Sequence, residues 1–388
     1  MSDSGRKVAG GLHLPGIVED MAGPKRDSKV TPRSNASKSP KASAAARTRA
    51  ATRLAAQAGA ARTAAIGRWP GRAVEAVDLS ARHRMGRIRS LFENRPFQEA
   101  WFETAGLKLH YEVHGTGPET LIFLHGILMD AQMNRRLAAD LAEAGNRVIL
   151  LDLPGHGKSD KPRHAASHRM DSYAYFVRDL MDELGIESAV VGGVSLGANV
   201  ALQVAVKWPE RVRGLIIEMP VLEWAVPGAA MAFVPALLGV HYAAPLVRLV
   251  ASLARRVPQT GVGPLDSAIS VLRMQPEEAA AVLHGMLVGP IAPTMEERKA
   301  MAQPALVIGH KADVIHPFTD ASHLTAQLQQ ARLVEASSIL ELRIFPDRLT
   351  AEIAGFLDTV WGRESSGLRS VPGVPDDEAG QAVGAQPA

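Results

Sequence analysis

Residues 193–197 read Gly-Val-Ser-Leu-Gly, a serine with a glycine two residues away on each side. The apolar run before it, "AVVGGVS", reads as a strand, and "LGANVALQVAVKWP" after it as a helix. Between a strand and a helix this pattern makes a sharp turn. Side chains at Gly193 and Gly197 would strike the neighbouring backbone. The turn exposes the Ser195 hydroxyl and aims the helix N-terminus at it, so that the Leu196 N–H can stabilise an oxyanion. The implied chemistry is acyl transfer to serine. A serine at its free pKa is a weak nucleophile and needs a base brought from elsewhere in the chain. On the plainer reading, Ser195 is a small residue in a tight bend.

The elements around this turn set the fold class. "WFETAGLKLHYEVHG" alternates like a hairpin with Ala105-Gly106 at its bend. Then "TLIFLHG", "RVILLDLPGHG", "AVVGGVS", "VRGLIIEMP", "PALVIGH" and "ARLVEA" read as strands apolar on both faces. Helical patterns separate them, among them "NRRLAADLAEAG", "YAYFVRDLMDELG" and a last helix facing inward with Leu349, Ile353, Phe356, Leu357 and Val360. This alternation predicts an α/β protein with a mostly parallel sheet and helices on both faces. It lapses over 221–303, where no strand is evident and a helical cap insertion is expected. Within the cap, residues 225–247 carry no charged side chain. Their length would suit a membrane span, but Pro227, Pro235 and Pro245, with Gly228 and Gly239, are expected to divide them into short helices.

With these pieces in place, residues 98–362 resemble the α/β-hydrolase fold superfamily. The resemblance rests on "FLHGILMD" after the third strand, "DLPGHGKSD" after the fourth, the serine turn after the fifth and "VIGHKADVIHP" after the seventh. It implies a second oxyanion N–H from Ile127, behind the His125-Gly126 pair, and an acid at Asp313. It implies supporting roles for His125 and His156. It also calls for a histidine after the eighth strand, near Ile339 or Leu340, and none is there; the last histidine of the chain is His323. His316, three residues beyond Asp313 in the loop that faces the serine turn, is the preferred substitute. His310, Glu341 and Glu218 are the alternative bases or acids, with pairing to Arg343 the plainer role for Glu341.

Composition bounds the rest. The chain has 388 residues and no cysteine, which excludes disulfides, thiolate metal sites and a cysteine nucleophile and fits a reducing, cytoplasmic compartment. No phosphate loop and no H-E-x-x-H pair occurs, so no cofactor and no metal are indicated. Residues 1–90 hold 18 Lys and Arg against 6 Asp and Glu, whereas the remainder holds 25 against 34. Residues 1–80, rich in Ala, Ser, Lys and Arg, are expected to be a disordered basic arm suited to an anionic membrane surface, with no specific nucleic-acid site. Residues 81–97 form a basic amphipathic segment with Met85, Ile88, Leu91 and Phe92 on one face. Residues 363–388 read as a disordered tail. The core is then 98–220 with 304–362, and the cap 221–303. The reading is a serine hydrolase acting on an ester of a lipophilic small molecule. Its competitors are a catalytically reduced scaffold binding an apolar ligand and a membrane-peripheral protein targeted by its arm.

Overall fold

The computed structural model describes residues 95–364 other than 312 and 314. The basic arm, all but the last three residues of the amphipathic segment, and nearly all of the tail lie outside the described residues. The chain enters through a hairpin of β1 (Gln98–Thr104) and β2 (Leu107–His114). Ala105 and Gly106 both take positive φ, 50° and 74°. Two left-handed residues in a two-residue turn match the twist of the flanking strands. There follow β3 (Thr120–Leu124), α1 (Arg135–Glu143), β4 (Arg147–Leu151), α2 (Met170–Glu183), β5 (Ala189–Val194), α3 (Leu196–Lys207) and β6 (Val212–Glu218). After the cap come β7 (Ala305–His310), α9 (Phe318–Gln327), β8 (Ala331–Ala336), α10 (Glu341–Ile344) and α11 (Asp347–Trp361).

The eight strands form one sheet in the order β1-β2-β4-β3-β5-β6-β7-β8. β2 pairs antiparallel with β1 and β4, and the remaining pairs are parallel. Every residue of β3, β5 and β7 is buried, as strands covered on both faces require. On one face α2 and α3 bury Tyr173, Val177, Leu180, Val200 and Val204. On the other, α1 and α11 bury Leu137, Leu141, Leu349, Ile353 and Leu357. This is the α/β architecture read from the sequence. The chain runs outward from β3 to β4 and returns to β5 on the other side of β3. A crevice opens at the carboxyl ends of strands where the order reverses in this way. The loop after β3 and the serine turn after β5 therefore meet there.

Among the described residues the cap holds no strand and five helices: α4 (Val226–Tyr242), α5 (Ala244–Ala254), α6 (Gly263–Arg273), α7 (Pro276–Leu287) and α8 (Met295–Ala300). The expected subdivision at prolines is corrected in part. Pro235 lies inside a 17-residue helix, which continues through it to Tyr242. The break falls at Ala243, before Pro245 in the first turn of α5, where proline is compatible with a helix start. There the axis bends by 91°. No single described helix is long and apolar enough to cross a membrane.

Candidate active site

Ser195 has φ 54° and ψ −112°, a conformation that side-chain-bearing residues rarely adopt. It is held by two main-chain bonds: its N–H donates to Glu218 O at 2.8 Å, and its carbonyl accepts from Asn199 N at 3.1 Å. The flanking glycines are steric necessities. A Cβ on Gly193 would lie 2.6 Å from the Gly197 carbonyl carbon and 2.7 Å from Leu124 O, and one on Gly197 would lie 2.5 Å from Leu124 O. Leu196 is the first residue of α3, so its N–H has no acceptor within the helix. Three of the four described non-glycine residues with positive φ are Leu128, Ser195 and Met219, at the carboxyl ends of β3, β5 and β6. Backbone strain is thus concentrated on the rim of one crevice.

The loop after β3 supplies the second wall. A Cβ on Gly126 would stand 4.0 Å from the Ser195 Cβ, which leaves the following Ile127 beside the serine. His125 fixes that loop. Its Nε2 accepts the Leu153 N–H at 3.1 Å, so Nδ1 carries the hydrogen and donates to Gly126 O at 2.8 Å. The His156 ring lies 4.7 Å from the His125 ring, and the Pro154 carbonyl is 3.0 Å from its Nδ1. Burial pushes His156 well below the ordinary histidine value, which keeps it neutral. Both histidines tie loops together and neither reaches the serine hydroxyl.

The group that does reach it is His316. Its Nε2 is 2.8 Å from Ser195 Oγ, and its Nδ1 is 2.8 Å from Asp313 Oδ2. Asp313 Oδ1 meanwhile accepts the N–H groups of Ile315 at 2.8 Å and His316 at 2.9 Å. Burial would raise the Asp313 carboxyl, but the His316 ring and these main-chain donors outweigh it and bring it down to about 2. An ionised Asp313 can only accept, so Nδ1 bears the hydrogen and Nε2 is left to accept the serine proton. Ser195, Asp313 and His316 are brought together, with acid and histidine on the single loop after β7. Ile339 and Leu340 are half exposed beyond β8 and take no part.

The alternative residues are engaged elsewhere. Glu218 is fully buried, and both its oxygens accept from Arg343, at 2.8 and 3.3 Å. Burial alone would raise it, but Arg343 and His310 hold it below its ordinary value. His310 Nδ1 lies 2.9 Å from Ser338 O. Glu341 does not pair with Arg343, contrary to the expectation from sequence. It accepts from Arg348 at 2.8 Å and from Ser337, because the short α10 turns Arg343 inward toward Glu218. His323 is exposed on α9, edge-on to Trp224.

Three positioning residues escaped sequence reading. Asp320 accepts the N–H groups of Leu222, Trp224 and Ala225 and so anchors the start of the cap. Asn199 donates to Val221 O at 2.6 Å and Ile291 O at 2.8 Å, joining the serine helix to both cap junctions. Asp152 accepts from Ala131 N at 2.7 Å, Lys158 N at 2.9 Å and the His110 ring at 2.8 Å. Apart from the bond to Lys158, these bonds join segments distant in sequence, which no local spacing announces.

Among the described residues one cluster, Glu99, His110 and Glu112, has the spacing of a cation site. Arg135 grips Glu112 with both a 2.6 and a 2.9 Å bond and Lys158 pairs with Glu99, so two cations already occupy those donors. A cleft of about 420 Å³ beside them is lined by Arg95, Arg135 and Lys158 and does not include Ser195. Against the loop after β3 the cap instead packs a buried apolar cluster. Met274, Ala279 and Val282 of the cap form a cluster against which Ile127, Leu128 and Val240 pack.

A family model described as the alpha/beta hydrolase fold matches residues 119–238. Over 115 residues the chain is 42% identical to a 2-hydroxy-6-oxononadienedioate/2-hydroxy-6-oxononatrienedioate hydrolase of Paraburkholderia phymatum, covering 29% of this chain and 39% of that protein. Over 116 residues it is 41% identical to the dihydrolipoyllysine-residue acetyltransferase component of the acetoin cleaving system of Cupriavidus necator, covering 30% of each. It therefore spans less than half the length of these curated relatives. The solved structure of a thermophilic esterase from Thermogutta terrifontis superposes with a TM-score of 0.53 at 24% identity, over 68% of this chain and 99% of that one, a likeness of fold. The family match runs from β3 through the serine turn and into the cap, the same stretch that builds the crevice, and the chain has the α/β-hydrolase fold.

Proposed function

We propose that this protein is a serine hydrolase that cleaves an ester, or a related acyl bond, of a lipophilic small molecule. The observation that carries the reading is the unbroken chain of 2.8 Å contacts from Ser195 Oγ through His316 to Asp313. Ser195 Oγ attacks the acyl carbon as its proton passes to His316 Nε2. The oxyanion of the tetrahedral intermediate is met by the N–H groups of Leu196 and Ile127. Collapse breaks the bond to the leaving oxygen, which takes the proton from His316 and departs as an alcohol. Water then attacks the acyl-serine with the same base, releasing the carboxylic acid and restoring Ser195. Asp313, held ionised, fixes the tautomer that can accept a proton and stabilises the imidazolium that forms.

The preference for an apolar acyl group or ring is supported by the cap cluster around Met274 and Val282 beside the oxyanion loop. The hydrolase names among its relatives agree with the reaction class. The test is labelling by a fluorophosphonate together with turnover of p-nitrophenyl esters of increasing chain length. Wild type is expected to label and turn over, with kcat/KM rising with chain length, and Ser195→Ala to do neither. Turnover that survives Ser195→Ala would overturn the reading.

A further inference from the structure

We propose that the outer face of the cap, formed by α4 and α5, is a docking surface for a lipid bilayer interface. Of the 17 residues of α4 only Ala229 is buried, although the helix carries no charged side chain. Four of its five exposed large apolar residues, Met231, Val234, Leu238 and Tyr242, fall in one stripe, the first and last 79% exposed; Val226 at its start lies off it. On α5, Leu246, Leu249, Val250 and Leu253 follow the i, i+3, i+4, i+7 pattern of a single helix face, and all are exposed. An apolar helix face normally turns toward a core. Here α4 packs on α7, and α5 on α6, with their other sides. The two apolar stripes are left on the outside of the cap.

Three observations name the occupant. First, the geometry suits helices lying in an interface and not spanning one. At about 1.5 Å per residue α4 is about 26 Å long and α5 about 16 Å, and the 91° bend means that both cannot run along a bilayer normal. Two helices meeting at a right angle can both lie in one plane, each sinking one face among the acyl chains. Second, the aromatic residues stand where the boundary between water and hydrocarbon would fall. Trp224, 64% exposed, precedes α4, and Tyr242 ends it. Third, from residue 224 to residue 265 there is no Asp or Glu, while Arg248, Arg255 and Arg256 are present and exposed. Long basic side chains at the rim of an apolar face reach phosphate headgroups. Arg255 and Arg256 stand just beyond the end of α5, whereas Arg248 lies on the opposite side of α5 from the leucines and pairs with Glu277 of α7. A second copy of the same face would set like charges against like, so the charge pattern favours a lipid surface over self-association.

The docking does not depend on hydrolysis, and its test is separate from activity. Full-length protein is sedimented with vesicles of phosphatidylcholine, alone or mixed with phosphatidylglycerol, at low salt and at about 1 M salt, where the Debye length falls to about 3 Å. Binding to neutral vesicles that persists at high salt is the expected result. Leu246→Glu combined with Leu249→Glu should weaken it about a hundredfold, since burial of each leucine is worth about tenfold in partition. The variant should keep its melting temperature and its p-nitrophenyl ester turnover. As a second readout, brominated phosphatidylcholine should quench tryptophan emission in wild type and less in Trp224→Phe. Binding confined to anionic vesicles, abolished by salt and unchanged in the double variant would assign it to the basic N-terminal residues and overturn the proposal. A self-association lost in the double variant without vesicle binding would give the face to a second copy and overturn it equally, as would no binding at all.

Discussion

Asp313→Asn isolates the role of the tautomer. In wild type Asp313 uses one oxygen for the N–H groups of Ile315 and His316 and the other for His316 Nδ1. An asparagine in its place has one oxygen and one NH2. The two main-chain donors claim the oxygen, since an NH2 facing them would leave three donors without an acceptor. The NH2 then points at Nδ1, which must become the acceptor, and the hydrogen moves to Nε2. Nε2–H now faces Ser195 Oγ across the same 2.8 Å and can no longer take its proton. The geometry is preserved while the base is lost. The same exchange in the well-characterised serine protease triad lowers kcat about 10⁴-fold, so a drop of 10³–10⁴ is expected here, or about 4–5.5 kcal/mol in the barrier. The fold should be little affected, because the acceptor for Ile315 and His316 survives. Asp313→Ala should melt lower than Asp313→Asn, by about 1–3 kcal/mol, because it strips that acceptor. The assay is single-turnover hydrolysis of a p-nitrophenyl ester with thermal melting in parallel. If Asp313→Asn keeps more than a tenth of wild-type kcat while Ser195→Ala is inactive, the orienting role of Asp313 is wrong.

Other outcomes follow from the same geometry. His316→Ala should lower kcat about 10²-fold or more, while His323→Ala, altering an exposed ring against Trp224, should leave it within twofold in the same assay. Ser195→Gly should melt higher than Ser195→Ala by about 1 kcal/mol or more in calorimetry, since only glycine adopts φ 54° without strain. Gly193→Ala should fail to fold or lose most of its stability in denaturant titration, because its Cβ would meet backbone at 2.6 and 2.7 Å. Asp152 is buried and, although burial itself raises it, His110 and the main-chain donor Lys158 bring it down to about 2 from an ordinary 3.8. A carboxyl lowered on folding stabilises above its unfolded pKa and loses that contribution as pH falls through the folded value. Wild type should therefore lose about 2 kcal/mol between pH 4 and pH 2 that Asp152→Asn does not lose, measured by urea unfolding across that range.

Much of this molecule was legible because the signals are local. Strands apolar along their whole length announce a covered parallel sheet, and the glycines at 193 and 197 announce a turn with no room for a Cβ. The absence of a histidine after β8 is equally plain, and His316 stands out because it follows Asp313 by three residues in the loop after β7, at the same edge of the sheet as the serine turn. What sequence could not give was the destination of charges buried across the sheet. Glu218 and Arg343 are 125 positions apart, and nothing in either segment says that they pair. Nor could it say which side of α4 meets the body. A helix apolar all round carries little directional pattern, so whether its surface is covered depends on neighbours far along the chain.

In the proposed mechanism acid and base stand on one loop, three residues apart, which changes the problem of assembling the site. Where three catalytic groups come from three separate loops, two independent alignments must hold at once. Here the Asp313–His316 bond is internal to a single turn and travels with it, so one relative coordinate remains: the position of that turn against the serine bend. Any displacement of the β7 loop opens the Ser195–His316 contact and leaves the acid–histidine bond intact, so the pair behaves as one removable part. The loop beyond β8 is released from any duty toward the serine, and Ile339 and Leu340 are free to vary without touching it.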